Sequence, residues 1–265
     1  MALTVIAPTA VPVPALRTGW AYWADGYRSM LRWHLASLRM WLMLLAMIQV
    51  LLGVGYVLGF SLFFDPIPPV AAMFVSTGAP VLNLVLLGML LGPQLVANDK
   101  SRGGYDFLQA LPVPHTAAAA AWYTVTLIAG LPAMVITLLV AQARYDLTLT
   151  VSPAVVPAAL LTVFTGTMLG YALAHAVTHP MTIQAVTQAL VFIVVGFAPI
   201  VFPVEQMPTW LASVNHWLPL EHMAAIVRAS LTEGVVSDVA RSYLIVSVWG
   251  VAAGWAAVRA LGRRR

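Results

Sequence analysis

Long charge-free stretches of apolar residues are the main pattern along this chain. No Asp, Glu, Lys or Arg lies between Arg39 and Asp65, and none lies between Asp65 and Asp99. A helix needs about 20 apolar residues to cross a bilayer, because unpaired backbone groups and buried charges are costly in hydrocarbon. The whole pattern predicts six transmembrane helices, roughly over residues 40–64, 70–96, 116–141, 153–174, 181–202 and 240–258.

The charge-free stretch from Asp146 to Glu205 is too long for a single helix, and the polar stretch from His175 to Pro180 divides it into two of the six. The next segment, residues 203–235, is too apolar for a water-exposed loop, yet its prolines and charges prevent it from spanning. It predicts short helices that re-enter the outer leaflet, shielded by protein or headgroups. This outer hairpin is expected to use Phe202, Pro203, Glu205, Pro208, Trp210, Pro219, Glu221, His222 and Arg228.

The chain before the first span divides into two parts. Residues 1–16, with their prolines, predict a flexible tail, and they lack the basic region and cleavage site of a signal peptide. In residues 17–39, aromatic and leucine side chains recur at helical spacing beside an arginine-rich face, which is typical of an amphipathic helix at headgroup depth. A simple extension of the first span is the alternative. The interfacial helix is expected to act through Trp20, Trp23, Arg28, Arg32 and Arg39.

Composition also indicates an integral membrane protein. Hydrophobic residues make up 61% of the chain and charged residues 8%, whereas soluble domains carry about 25% charged residues. The mean hydropathy is +0.90. A soluble enzyme and a disordered chain are thereby excluded. So few charges cannot build a phosphate-binding face despite the net charge of +4, and no nucleic-acid partner is expected.

The basic residues predict the orientation of the chain. Cytoplasmic segments of bacterial membrane proteins carry an excess of Lys and Arg. With both termini inside, the basic residues of the outer segments are Arg144, Arg228 and Arg241. The multi-pass protein is therefore expected in the bacterial plasma (inner) membrane with cytoplasmic termini. The inner segments then hold Arg17, Arg28, Arg32, Arg39, Lys100, Arg102, Arg259, Arg263, Arg264 and Arg265.

The sequence lacks the patterns of common catalytic sites. Lys100 is the single lysine and stands outside any phosphate-binding P-loop, and neither H-E-x-x-H nor G-x-S-x-G occurs. His175 and His179 have metal-ligand spacing but no evident third ligand, so we expect solvated boundary residues. Without cysteine there is no thiolate site or disulfide. The chain is predicted to be non-catalytic, with no catalytic residue, metal or cofactor of its own.

Uncharged polar residues inside the spans are candidate functional residues, because exposing their polar groups to lipid is energetically unfavourable. Three of them follow one another at i, i+3 and i+4 on the fifth span. They predict either a polar stripe along a translocation path or subunit interface, or an interhelical hydrogen-bond seam. The set comprises Gln49, Asn83, Gln184, Thr187 and Gln188.

A second functional segment is the inner stretch 98–115. Polar residues lead into a short helical run, which Pro112 and Pro114 end. Exposed apolar groups on such a helix, including Tyr105, predict a docking surface; a helix packed under the bundle is the alternative. The coupling residues are expected to be Asp99, Lys100, Arg102, Gly104, Tyr105, Asp106, Phe107, Leu108, Leu111 and Pro112.

The outer segment resembles the signature of type-2 ABC exporter permeases, most nearly the drug-resistance and nodulation-type membrane subunits. The signature runs F-P-V-x-x-x-P-x-W-L from Phe202, then L-P-L-x-H from Leu218, then Arg228 and Gly234. The stretch around Asp99 and Lys100 resembles the coupling segment of the same family. Two departures are Asp99, where Glu is usual, and His115, where a basic residue is common.

This resemblance implies an all-α permease domain over residues 40–265, preceded by the interfacial helix. It implies a membrane-spanning subunit of an ATP-driven exporter that moves an amphipathic drug-like, lipid-like or glycolipid substrate outward. Two cytoplasmic ABC ATPase subunits would hold ATP and Mg. A second permease subunit, identical or paralogous, would pair through the first and fifth spans, surrounded by membrane lipids.

Two other functions are compatible with a membrane protein of this kind. A secondary carrier or channel would be expected to show intramembrane carboxylates or an internal repeat. An intramembrane lipid-modifying enzyme would show clustered Asp or His at one membrane face, for which His175 and His179 are the single hint.

Overall fold

The computed structural model describes residues 19–64 and 66–262. The predicted tail, Arg17, Asp65 and residues 263–265 lie outside the described residues. The regular elements of the described ranges are helices. They are α1 (Trp20–Ser37), α2 (Arg39–Phe63), α3 (Pro69–Ser101), α4 (Gly104–Ala110), α5 (His115–Tyr145), α6 (Val155–Ala176), α7 (Pro180–Phe197), a 3-10 turn (Val204–Gln206), α8 (Thr209–Asn215), α9 (Pro219–Leu231) and α10 (Val239–Gly262).

The predicted six-helix membrane architecture is confirmed. Helices α2, α3, α5, α6, α7 and α10 are each long and apolar enough to cross a bilayer. Two of them outrun the charge-free stretches, since α3 continues through Lys100 and α5 through Arg144. Long basic side chains can extend from a helix end into a polar layer, so a charge need not end the helix.

Helix α3 is the centre of the bundle. It packs against α2, α5, α6, α7 and α9. Its crossing with α6 is close because Gly88 faces the backbone of Gly166, and a Cβ on Gly170 would lie 2.5 Å from the Gly88 carbonyl oxygen. The small-residue spacing in both helices thus serves packing within the chain.

Three spans lie at the periphery. Helix α2 packs on α3 and α5, α7 packs mainly on α3, and α10 packs on α6 and α9. The remaining faces of these helices expose large apolar side chains such as Met47, Leu51 and Phe192. Such faces suit lipid or another membrane helix.

The segment between α7 and α10 folds back into the bundle. Ten residues of α9 are buried, and its apolar side chains join the core formed by α3, α5 and α6. The backbone N–H groups of Thr150 and Ser152 donate to the carbonyls of Leu231 and Ser230. These bonds satisfy carbonyls that a helix end would otherwise leave unpaired.

Candidate functional site

The two ends of the bundle carry different groups. One end, which we call the Lys100 end, is formed by α1, α4, the last turns of α3 and α6, and the first turns of α5 and α7. The other, the Arg228 end, is formed by α8, α9 and the segment after α7. Both bring together residues that are distant in sequence.

Lys100 joins α3 to the end of α6. Its Nζ donates hydrogen bonds to the carbonyl oxygens of Ala174, at 2.7 Å, and Val177, at 2.6 Å. These carbonyls belong to the last turn of α6 and to the residue that caps it, where carbonyls lack intrahelical partners and a cation is favourable. The lysine side chain therefore joins the end of α3 to the end of α6.

Tyr105 corrects the expectation of an exposed docking group. The side chain is buried, and its hydroxyl lies 2.7 Å from His175 Nδ1. The Lys100 ammonium lies 4.7 Å from its ring centroid, an attractive cation–π contact. Tyr105 is buried because these two partners bind it, so it fastens α4 against α6.

Phe107 is the large apolar side chain that α4 exposes, at 61% of its accessible surface. Asp106, beside it, is also exposed, whereas Leu108 and Leu111 are half-buried. The helix begins after Gly103, whose φ of 75° suits a residue without Cβ, and Pro112 follows its end. The chain thus builds a short helix whose tyrosine is buried and whose phenylalanine is largely exposed, and both side chains border the cavity described below.

Helix α1 is held against the start of α5 and the link between α4 and α5. Trp23 Nε1 donates to Thr116 Oγ1 at 3.0 Å, and the Tyr22 hydroxyl donates to the Pro112 carbonyl. Trp20, Arg28, Arg32 and Arg39 are exposed, and the Trp20 ring stacks on that of Trp23 with centroids 5.1 Å apart. This placement leaves an aromatic and basic face uncovered by the described residues.

A cavity of about 1060 Å³ opens between these elements. Among the residues that line it, Leu91 and Trp122 are buried and Leu45 and Asp99 are half-buried, whereas Arg102 is exposed. We call the part at Asp99 and Arg102 its mouth. Ligand sites are typically mostly apolar cavities of about 300–1,000 Å³ with a few polar groups. The cavity therefore has the dimensions and composition of a ligand site.

His34 lines this cavity beside Trp122, with ring centroids 4.9 Å apart in an edge-on arrangement. Burial lowers the pKa of His34 to about 4, because desolvation disfavours the charged imidazole. The histidine is therefore neutral at physiological pH.

The polar residues predicted within the spans are divided among three places. Gln49 and Asn83 are buried and form a reciprocal pair between α2 and α3, since each side-chain amide donates to the other residue's backbone carbonyl, at 3.1 and 3.0 Å. Thr187 is buried and bonds the Ile183 carbonyl within α7. Gln184 and Gln188, one turn apart, instead line the cavity.

The two histidines of metal-ligand spacing are separated by the end of α6. His175 lies inside the helix and His179 precedes α7, so they do not share a helix face. The expectation that both are solvated is wrong for His175, which is buried against Tyr105 and Tyr171. Across residues 19–64 and 66–262, no group of three metal-binding side chains occurs.

Arg228 is the central charged residue of the other end. Its Nη2 donates to the Ile200 carbonyl at 2.6 Å and its Nε donates to Thr77 Oγ1 at 3.0 Å. The guanidinium also lies 4.0 Å from the Phe74 ring centroid. Burial lowers the pKa of Arg228 to about 10, with the charge of Glu205 opposing the shift, so the cation persists at neutral pH.

The segment after α7 approaches α3 very closely at this point. A Cβ on Gly78 would lie 2.2 Å from the Ile200 carbonyl oxygen. Asn215, buried on α8, donates to the Phe197 carbonyl at 3.0 Å and so satisfies the end of α7. Together these contacts hold the segment between α7 and α9 against α3 and the end of α7.

The remaining hairpin residues are distributed from core to surface. His222 is buried, with Nδ1 3.1 Å from Ser242 Oγ on α10 and Nε2 3.0 Å from the His216 carbonyl oxygen. Phe202 packs against the core, and Pro219 is buried at the start of α9. Glu221 and Pro203 are half-buried, whereas Glu205, Pro208 and Trp210 are exposed.

Several residues at the two ends were not predicted from the sequence. Thr77, Gly78 and Phe74 lie within an apolar span, and Trp122 follows a run of five alanines. The small run Ser76-Thr77-Gly78 is the signal that could have indicated a close approach, since such residues allow backbones to meet. Asn215 could have been found as an amide in an otherwise apolar segment.

Comparison with known proteins adds a family assignment. A family model described as "ABC-2 family transporter protein" matches residues 73–259, more than half of the chain. No curated protein matches the chain. The matched range includes α4, the cavity-lining turns of α6 and α7, and Arg228. The chain belongs to the ABC-2 transporter family, which confirms the resemblance, and it is a multi-pass membrane protein.

Proposed function

From this membership, we propose that the chain is the permease subunit of an ATP-driven exporter, which moves an amphipathic drug-like, lipid-like or glycolipid substrate outward from the cytoplasm or inner leaflet. ABC-2 permeases are membrane components of transporters and generally pair with an ABC ATPase. In this proposal two cytoplasmic ATPase subunits bind ATP and Mg at the Lys100 end. The chain itself supplies the path and no catalytic residue.

The observation that carries this proposal is the exposed Phe107 on an anchored helix. Tyr105 and Lys100 hold α4 against α6, so a force applied to Phe107 would reach the membrane helices through defined contacts. Large aromatic side chains are common anchors of protein interfaces when they enter a pocket of the partner. A groove on the ATPase subunit is the proposed partner for Phe107.

The faces of α2 and α7 support pairing with a second permease subunit, identical or paralogous. Both helices leave most of their apolar surface uncovered by the described residues. Gln184 and Gln188 lie on the uncovered side of α7 and line the cavity. In a dimer these amides would lie beside the substrate path, where hydrogen-bonding groups are useful.

The distribution of basic residues supports cytoplasmic placement of the Lys100 end in a bacterial plasma membrane. Arg28, Arg32 and Arg39 on α1 and α2 are exposed at this end, as is Arg102. Positively charged segments are retained on the cytoplasmic side, and exposed arginines beside Trp20 can bind anionic headgroups.

A docking variant tests the proposal. Phe107→Asp should abolish co-purification with a P-loop ATPase subunit and reduce permease-dependent ATP hydrolysis by about tenfold or more, since truncating an anchor costs roughly 2 kcal/mol. The matched control is Trp217→Asp, an aromatic side chain of similar exposure at the Arg228 end. Unchanged co-purification and hydrolysis in Phe107→Asp would overturn the assignment of α4.

A further inference from the structure

The cavity at the Lys100 end changes character with depth. Residues that line it on α3 extend from Leu91 to Arg102, which is about 16 Å along a helix axis. Away from the mouth, Leu91 and Trp122 belong to one buried apolar cluster against which Leu45 packs. At the mouth the lining includes Asn98, Asp99 and Arg102. The cavity is therefore apolar inside and charged at its opening.

The charges of the cavity lining balance. Apart from the histidines His34, His115 and His175, its ionisable Asp, Glu, Lys and Arg side chains are Asp99 on α3 and Arg102 directly after that helix, three positions apart. Elsewhere in the lining, the exposed side chains of Gln94, Gln184 and Gln188 add uncharged hydrogen-bonding groups. A ligand that matches these walls carries one positive and one negative group at its polar end.

The cavity also has a side that faces the membrane. Its lining includes Trp41 of α2 and Met181 of α7, both exposed. These two helices pack on α3 but do not pack extensively on each other in the described ranges. A molecule with an apolar chain could therefore enter from the lipid without crossing water.

We propose that this cavity binds a zwitterionic amphiphile, with the dipolar headgroup between Asp99 and Arg102 and the apolar chain along Leu91, Leu45 and Trp122. Naming this ligand as the transported substrate rests on the proposed function. The binding site itself is independent of an ATPase, so it can be tested on the chain alone.

Electrostatics distinguish this ligand from charged alternatives. A cationic amphiphile would meet Arg102 as well as Asp99, and an anionic one would meet Asp99 as well as Arg102, so neither gains a net attraction from the mouth. His34, held neutral by burial, adds no charge to the wall. A zwitterion can satisfy both mouth groups at once.

Binding to the full chain in nanodiscs tests the site. The probes are three fluorescent single-chain amphiphiles of equal chain length, with phosphocholine, phosphoglycerol or trimethylammonium headgroups, and empty nanodiscs give the partition background. We expect saturable binding of the phosphocholine probe, at least about fivefold tighter than either charged probe. Equal affinity for all three, or no binding above empty nanodiscs, would overturn the proposal.

Two variants that change one charge each should shift the headgroup preference in opposite directions. Asp99→Asn leaves a cationic mouth and should shift the preference toward the phosphoglycerol probe by roughly fivefold. Arg102→Gln leaves an anionic mouth and should shift it by a similar factor toward trimethylammonium. Asp146→Asn and Arg259→Gln make the same charge changes outside the cavity lining and should preserve the preference. Identical shifts in the controls would overturn the site.

A steric variant locates the bound chain. Ala185 lines the cavity and is exposed, so Ala185→Trp can fill the space without a core clash. It should reduce phosphocholine binding at least about tenfold. Ala189→Trp, one turn along α7 and outside the lining, is the matched control and should leave binding unchanged. If the unmodified chain bound the phosphocholine probe but did not pair with an ATPase subunit, the proposed function would be rejected and this binding site retained.

Discussion

The two ends of the bundle each use a cation to bind backbone carbonyls, with opposite structural results. At the Arg228 end, the guanidinium is buried with Ile200, Thr77 and Phe74, and the chain is sealed around it. At the Lys100 end, the ammonium binds the last turn of α6 at the side of an open cavity. The difference shows that similar cation contacts can close one end and support the rim of a cavity at the other.

The largest effect is expected from Arg228→Met, which removes the buried cation from the Arg228 end. Ile200 keeps a buried carbonyl without its donor and the Phe74 contact is lost, so we expect about 3 kcal/mol of destabilisation. Thermal unfolding followed by tryptophan fluorescence in detergent measures it. Arg241→Met, an exposed arginine at the same end, should change little. Equal effects in both variants would contradict the role of Arg228.

A smaller effect is expected from Gly78→Ala, which adds a Cβ at the same end. The Ile200 carbonyl lies where that Cβ would stand, and backbone cannot yield as a flexible side chain does. Overpacking of this kind costs about 2 kcal/mol. Gly55→Ala has open space around it and should be neutral or slightly stabilising. A neutral Gly78→Ala would show that the Arg228 end is not closely packed.

Lys100→Met tests the open end in the same way. Two carbonyls of the last turn of α6 lose a charged donor, for an expected cost of about 1.5 kcal/mol. Hydrogen–deuterium exchange should rise in α4 and at the end of α6. Exchange in α9 serves as the internal control and should not change. A uniform rise across both ends would contradict a local role for Lys100.

The smallest effect is the pH dependence of the open end. His34 binds a proton below about pH 4 in the folded chain and near pH 6.5 when unfolded. Between these values the unfolded state holds more protons, so stability falls as the pH is lowered. The loss between pH 7.5 and 5.5 should be about 1 kcal/mol. His34→Phe should remove that slope, and an unchanged slope would contradict a half-buried His34 that stays neutral in the folded chain.

Spacing of charges along the sequence, together with the polar stretch from His175 to Pro180, was enough to predict the spans, because the cost of burying a charge in hydrocarbon acts on every residue. The contacts at the Lys100 end join residues that are distant in sequence, so local spacing does not predict them. Tyr105 was expected on the surface, since its burial depends on His175, seventy positions away. Phe107, with no comparable partner, is exposed as expected.

The Arg228 end shows the same limit. Arg228 was selected from its position in an unusual segment, but its partners Thr77 and Ile200 come from α3 and from the chain after α7. A hydroxyl in a span can bond its own helix, as Thr77 also does with the Met73 carbonyl, so its second contact cannot be deduced from spacing alone.

Helix α3 connects the two ends mechanically. It carries Lys100 near one terminus and Thr77 near the other, so the groups lie about 35 Å apart on one continuous element. Pro80 and Pro93 lie within it, and each removes one backbone hydrogen bond at a point where a helix bends readily. A change in bend angle at either proline would move the Arg228 end relative to α4 without breaking the helix, as a jointed lever transmits a displacement.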